Sequence, residues 1–266
     1  MNWKPVLAVV ALVISSPLLA QNDDNIFAQY RAMFGDDNPA ELVAIQGEEL
    51  WKTTRGPRHA ALETCDLGLG AGVVAGAYAQ LPRYFKDADR VQDLEARLAY
   101  CMVKLQGFTP EEAVAKPYSE QGQPATDMEA LAAWIAGQSR GVPVAVPQSH
   151  PQEKAAFELG RQLFNYRAGP YDFSCATCHS QSDKRIRLQA LPNLTEAKGA
   201  RSAFATWPGY RISQGAVRTM EWRVGDCVRQ QRFPQLVFTS DAAIALITYM
   251  GVLAAGEPMA APGLKR

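Results

Sequence analysis

Cys175-Ala-Thr-Cys-His179 is the stretch on which the reading of this chain turns. Two cysteines separated by two residues and followed at once by histidine form the attachment pattern of a c-type haem. The spacing has a chemical reason. Each thiol adds to one haem vinyl group, and the adjacent histidine is held beneath the ring as an axial ligand to iron. A structural zinc site would need a second ligand pair at similar spacing, and the sequence has none. A thioredoxin-type pair would need a βαβ setting, which is missing here. Cys175 and Cys178 therefore read as the covalent anchors and His179 as the axial ligand. The motif occurs once, so one covalently bound haem c is expected.

Outward from the motif, Glu153 to Arg167 is amphipathic, with Phe157, Leu163 and Phe164 inward and Gly160 allowing a close helix contact. Downstream, Ser240 and Asp241 cap a helix running to about Ala254, with Ile244, Ile247 and Met250 on its apolar face. A helix, CxxCH, an irregular middle and a terminal helix is the layout of a small cytochrome c domain, here residues 153–266. Gly141 to Pro151 carries three prolines and reads as an extended, semi-rigid connection, 141–152. Ahead of it, residues 21–140 form a first unit. Its expected helices span Pro39 to Lys52, Asp87 to Gly107, and Thr126 to Ser139, with a capping box at Thr109-Pro-Glu-Glu112. In the second of these, Val91, Leu94, Leu98, Cys101, Met102 and Leu105 share one face. No tandem repeat is evident. The fold class expected is mainly α.

The chain has 266 residues and balances 27 basic against 27 acidic side chains, so nucleic acid is not an expected partner. Lys4, an apolar run from Val6 to Ile14, then Ser-Ser-Pro-Leu-Leu-Ala20 follow the order of a secretory signal peptide, residues 1–20. The run is too short to span a bilayer. No other segment reads as a membrane helix. A soluble periplasmic protein is expected, and export suits c-type haem attachment.

Three further cysteines remain. Cys65 and Cys101 are the natural disulfide in an oxidising compartment, and closing that loop would stabilise the fold by roughly 4 kcal/mol. Cys227 is left over. It sits in Arg223-Val-Gly-Asp-Cys227-Val-Arg229-Gln-Gln-Arg232, with Arg223 on the same face if the segment is helical. Three guanidiniums nearby favour thiolate. The second axial ligand stays open between Cys227, Met220 and Met250; His59 and His150 fall outside the haem domain. Residues 181–232 hold ten basic and four acidic side chains, a local excess that draws small anions and acidic partners.

Several stretches together resemble the SoxA family, c-type cytochrome subunits of the SoxAX complex of bacterial thiosulfate oxidation. They are Cys65-Asp-Leu-Gly-Leu-Gly70, Gly76-Ala-Tyr-Ala-Gln-Leu-Pro-Arg-Tyr84, Asp87-Ala-Asp-Arg-Val91, CATCH at 175–179, Trp207-Pro-Gly-Tyr-Arg211 and Arg223-Val-Gly-Asp-Cys227. CxxCH is common to all c-type cytochromes; its pairing with a downstream R-x-x-x-C is far more specific. The resemblance implies two cytochrome c-like domains, the N-terminal one without haem because no CxxCH surrounds Cys65. It implies that Cys227 ligates iron and carries a persulfide, with Arg223 holding the substrate. The activity implied is that of an L-cysteine S-thiosulfotransferase, joining thiosulfate to a cysteine of the carrier SoxYZ. The small cytochrome SoxX is the implied heterodimer partner and second electron acceptor. The competing reading is a plain electron-transfer cytochrome with Met220 or Met250 on iron and an inert Cys227.

Overall fold

The computed structural model describes residues 38–186 and 189–265. The expected signal peptide, its cleavage point after Ala20 and the polar stretch as far as Asp37 lie outside the described residues. The first half contains α1 (Ala40–Lys52), the antiparallel pair β1 (Arg83–Phe85) and β2 (Arg90–Gln92), α2 (Leu94–Cys101), α3 (Pro110–Val114) and α4 (Asp127–Gly137). The second half contains α5 (Pro151–Asn165), α6 (Cys175–His179), the hairpin β3 (Arg185–Ile186) and β4 (Gln189–Ala190), and α7 (Ala197–Phe204). It continues with β5 (Gly209–Arg211), β6 (Ala216–Arg218), α8 (Met220–Gln230), α9 (Asp241–Leu253) and β7 (Gly263–Lys265). Strand β5 is central, antiparallel to β6 and parallel to β7. The described residues are mainly helical, as expected.

One helix crossing anchors each half, and a glycine makes each possible. A Cβ on Gly47 of α1 would stand 2.0 Å from the Ala130 carbonyl oxygen of α4. A Cβ on Gly160 of α5 would stand 2.0 Å from the Ala245 carbonyl oxygen of α9. Helix backbones in contact at that distance exclude any side chain at the crossing. Thr109, Thr126 and His150 close capping boxes at the starts of α3, α4 and α5.

Two expectations change. The helix expected from Asp87 starts at Leu94, because Arg90–Gln92 pairs with β1 and the Asp93 carboxylate accepts from Ala96 N–H (2.9 Å), capping the helix there. After Cys101 the chain runs on through a π-helical turn, Met102–Gln106, and stops at Gly107 with φ 82°. The proline-rich segment is extended but not loose. Gly141 and Val144 N–H donate to Met259 and Glu257 carbonyls (2.8 and 2.9 Å), and Val144 and Val146 are buried.

A repeat is present after all. Residues 81–101 and 207–227 trace one plan: a proline leading into a strand, a hairpin, then a capped helix ending in R-x-x-x-C. Pro82, Tyr84, Val91, Glu95, Arg97 and Cys101 each recur 126 positions later, as Pro208, Tyr210, Val217, Glu221, Arg223 and Cys227. The pairing registers agree: Arg83 faces Gln92 and Gly209 faces Arg218, while Phe85 faces Arg90 and Arg211 faces Ala216. Thus α2 and α8 are equivalent helices in two cytochrome c domains.

Candidate haem and sulfur site

The single turn α6 is built by its cap. Ser174 Oγ accepts from Thr177 N–H (3.2 Å), and Thr177 Oγ1 accepts from Ser174 N–H (2.9 Å). Cys175 and Cys178, three residues apart on that turn, line one cavity with His179. His179 Nδ1 lies 2.9 Å from the Pro192 carbonyl oxygen. A carbonyl can only accept, so Nδ1 carries the proton and Nε2 is left free to bind a metal. Burial lowers the His179 pKa; the Pro192 bond opposes this, and the nearby Arg223 adds to it.

The cavity has a volume of ≈ 580 Å³ and apolar walls that include Phe164, Leu194, Trp207 and Leu246. Two thiols and a metal-competent imidazole on one wall of an apolar chamber are the donor set and the enclosure a covalent haem requires. The residues present fit the group.

Helix α8 forms another wall. Thr219 caps it, accepting from Trp222 N–H (3.3 Å), and its helical spacing puts Arg223 and Cys227 in the same cavity as the motif. Met220 and Met250 also line it. His150 instead caps α5 and stacks on Tyr84 at 3.6 Å between ring centroids; His59 is an exposed turn residue. Neither lines the cavity.

The arginine cluster differs from the sequence expectation. Arg229 is largely exposed and donates to Asp226 (2.7 Å), and Arg232, beyond the helix, lies 5.6 Å from the centroid of the Tyr171 ring. The cations that act on Cys227 are Arg223 and Arg211, the latter contributed by β5. Even so, burial dominates and pushes the Cys227 thiol up, with Arg223 and Arg211 pulling it down and Asp226 working against them. Arg211 was legible only as part of Trp207-Pro-Gly-Tyr-Arg211. It lies sixteen positions before Cys227, and only the hairpin fold brings it to the cavity.

In the other half, Cys65 and Cys101 are joined by a disulfide with Cα atoms 5.8 Å apart. Both are buried, and the bridge ties the loop before β1 to the end of α2. Among the described residues no helix is long and apolar enough to cross a membrane.

Residues 46–144 and 159–259 match the family model described as SoxA/TsdA, cytochrome c domain. The chain is 45% identical over 266 residues to an L-cysteine S-thiosulfotransferase subunit SoxA of Hydrogenophilus thermoluteolus, covering 98% of this chain and 97% of that one. It is 35% identical to a protein of the same name from Hydrogenobacter thermophilus, covering 86% and 82%. The crystal structure of SoxXA from P. pantotrophus is similar in fold, with a TM-score of 0.71 at 22% identity over 87% of this chain and 80% of that one. A cytochrome c domain implies haem c.

Proposed function

We propose, from the premise that the chain belongs to the SoxA family, that it is a one-haem thiosulfotransferase subunit in which Cys227 is the sulfur-carrying residue and Arg223 binds the substrate. The observation that carries this reading is that Arg223, Cys227 and the CATCH turn open onto one cavity. Cys175 and Cys178 would hold the haem covalently, and His179 and Cys227 would ligate its iron. When bound, the haem supplies a one-electron acceptor beside the cysteine.

The reaction joins the outer sulfur of thiosulfate to a cysteine thiol of a carrier protein. One S–S bond forms, and one proton and two electrons leave. The outer sulfur and the thiol sulfur are oxidised; a second acceptor, on a small partner cytochrome, takes the other electron. Thiosulfate is a dianion, and Arg223 offers it a planar fork of donors, only loosely held by Asp226 at 3.4 Å. Cys227 would hold the S–SO3⁻ unit through the S–S bond whose formation releases the two electrons; the carrier thiolate then attacks the outer sulfur, the bond to Cys227 breaks, and Cys227 leaves as thiolate, so the transfer itself is redox-neutral. The names of the relatives support the thiosulfotransferase class. The SoxXA neighbour supports a SoxX-type partner. We place the working protein in the periplasm, cut after Ala20, with a haem-free domain over 21–140 and a haem domain over 153–266.

Substituting Cys227 tests the assignment. Cys227→Ala should alter the visible haem spectrum and abolish thiosulfate coupling. Cys227→Met should keep a low-spin haem yet stay inactive, because a thioether ligates iron but carries no persulfide sulfur. Coupling at the wild-type rate in Cys227→Ala would replace this reading with methionine-ligated electron transfer. A pyridine haemochrome assay should give one haem per chain; two would overturn the one-haem assignment.

A further inference from the structure

Arg211 ends β5 and lines the same cavity as Arg223 and Cys227. Two guanidiniums on one cavity repel, and each disfavours the other's charge. Arg223 has Asp226 beside it. Arg211 has no carboxylate within ion-pair distance among the described residues, although the Asp226 charge reaches it and offsets part of the repulsion from Arg223; its guanidinium carbon lies 5.5 Å from the centroid of the Trp222 ring. Its Nε is buried and has no hydrogen-bond partner. A buried donor left unpaired is destabilising. An unpaired donor on a residue that lines a cavity is a place where an acceptor from outside can be received.

The duplicated domain shows how the same position is filled when nothing has to bind. There the equivalent of Arg211 is Phe85, buried, with the Arg97 guanidinium 4.0 Å from its ring centroid. The equivalent of Ser213 is Asp87, whose carboxylate accepts two hydrogen bonds from Arg97 (2.9 Å each). The haem domain has exchanged the ring for a second cation and the neutralising carboxylate for a hydroxyl that also lines the cavity. Both exchanges raise the positive charge facing the cavity.

We infer that Arg211 is a second anion-binding contact of this site, taking the sulfonate end of the incoming thiosulfate together with Arg223. The inference rests on the role proposed above for Arg223 and Cys227. It extends that role by dividing the substrate between two cations, so that the outer sulfur is left facing Cys227.

The test uses the haem-loaded protein with its partner cytochrome and measures thiosulfate coupling to the carrier, with thiosulfate binding followed separately by calorimetry without carrier. Arg211→Gln should raise KM and Kd for thiosulfate roughly 10- to 100-fold, the loss of one charge-assisted contact, with the haem spectrum unchanged. Arg211→Lys should recover part of it, since a point charge replaces a fork. KM and Kd within twofold of wild type in Arg211→Gln overturn the inference, whatever happens to kcat. Arg223→Gln separates the two layers. If Arg223→Gln weakens binding and Arg211→Gln does not, only the role of Arg211 falls. If neither does, the substrate site itself is misplaced.

Discussion

Helices α2 and α8 carry the same R-x-x-x-C in the same register and use it oppositely. On α2 both residues of the motif are spent. Cys101 is bridged to Cys65, and Arg97 is buried, bound by Asp87 and the Asp66 carbonyl and stacked beside Phe85. On α8 the groups are held back. Cys227 is a free thiol, Arg223 keeps a single long hydrogen bond among the described residues, to Asp226, and both face a cavity. The difference does not come from the helix or from its cap. It comes from what the preceding elements supply: in one half a second cysteine and a hairpin carboxylate, Asp87, that binds the arginine; in the other a haem motif and a hairpin with Ser213 and Arg211 in the places of Asp87 and Phe85.

The widest gap between the halves should appear when the paired arginines are removed. Arg223→Ala should lower kcat/KM for thiosulfate by roughly 100-fold while the haem stays ligated, because a bidentate charge contact is lost and the cysteine remains. Arg97→Ala should leave coupling per folded molecule unchanged. It should cost stability instead, about 3 kcal/mol, by stripping a buried, hydrogen-bonded side chain from its domain. Steady-state kinetics and thermal unfolding on the same two preparations check both. Equal kinetic effects would mean the two motifs are not divided into a structural and a functional copy.

Next in size is the bridge. Replacing Cys65 and Cys101 with alanine should lower stability by roughly 4 kcal/mol, the loop-closure value for a separation of 36 residues. The haem spectrum should not move, since neither residue lines the haem cavity. A spectral change would show that the N-terminal domain shapes the haem pocket through its own packing.

How much of this was legible differs by element for physical reasons. CATCH, the free Cys227 and Arg223 could be read because local spacing alone defines their chemistry. Helices α1, α4, α5 and α9 could be read from capping residues and apolar period. The start of α2 was misplaced because Asp87–Gln92 continues a helical apolar pattern, whereas strand pairing with Arg83–Phe85, a non-local term, decides its conformation. The repeat escaped because its halves share only scattered residues and differ most at Phe85/Arg211 and Asp87/Ser213, where function diverges. Arg211 could be quoted as part of a motif but not assigned, since nothing in the sequence says that β5 faces Cys227.

The smallest expected effect lies where the two copies meet. The N-termini of α2 and α8 approach each other so that Asp93 interacts with Glu221, and Glu95 with Thr219, each the register partner of the other's neighbour. All three carboxyls are buried, and Asp93 Oδ2 and Glu95 Oε1 have no well-directed hydrogen bond. Burial first, then the Asp93 charge, pushes the Glu95 pKa up from 4.5 to about 8. Burial also raises Asp93 and Glu221, although Arg90 partly offsets the rise at Asp93. The folded protein therefore keeps a proton on Glu95 that the unfolded chain gives up near 4.5. Its contribution to stability is full below that value and is lost as pH rises towards 8. Two groups act in the opposite sense: Glu158, whose pKa is lowered to about 2 by Arg161, acts below 4.5, and His179, whose pKa burial lowers, acts below its ordinary 6.5, so the range above 6.5 is left to the buried carboxyls. Thermal midpoints measured from pH 6.5 to pH 8 should fall for the wild-type protein. Glu95→Gln, which keeps the shape and cannot ionise, should flatten that fall. A wild-type slope that survives in Glu95→Gln would assign the pH dependence to Asp93 and Glu221, whose carboxyls meet where the two helices approach.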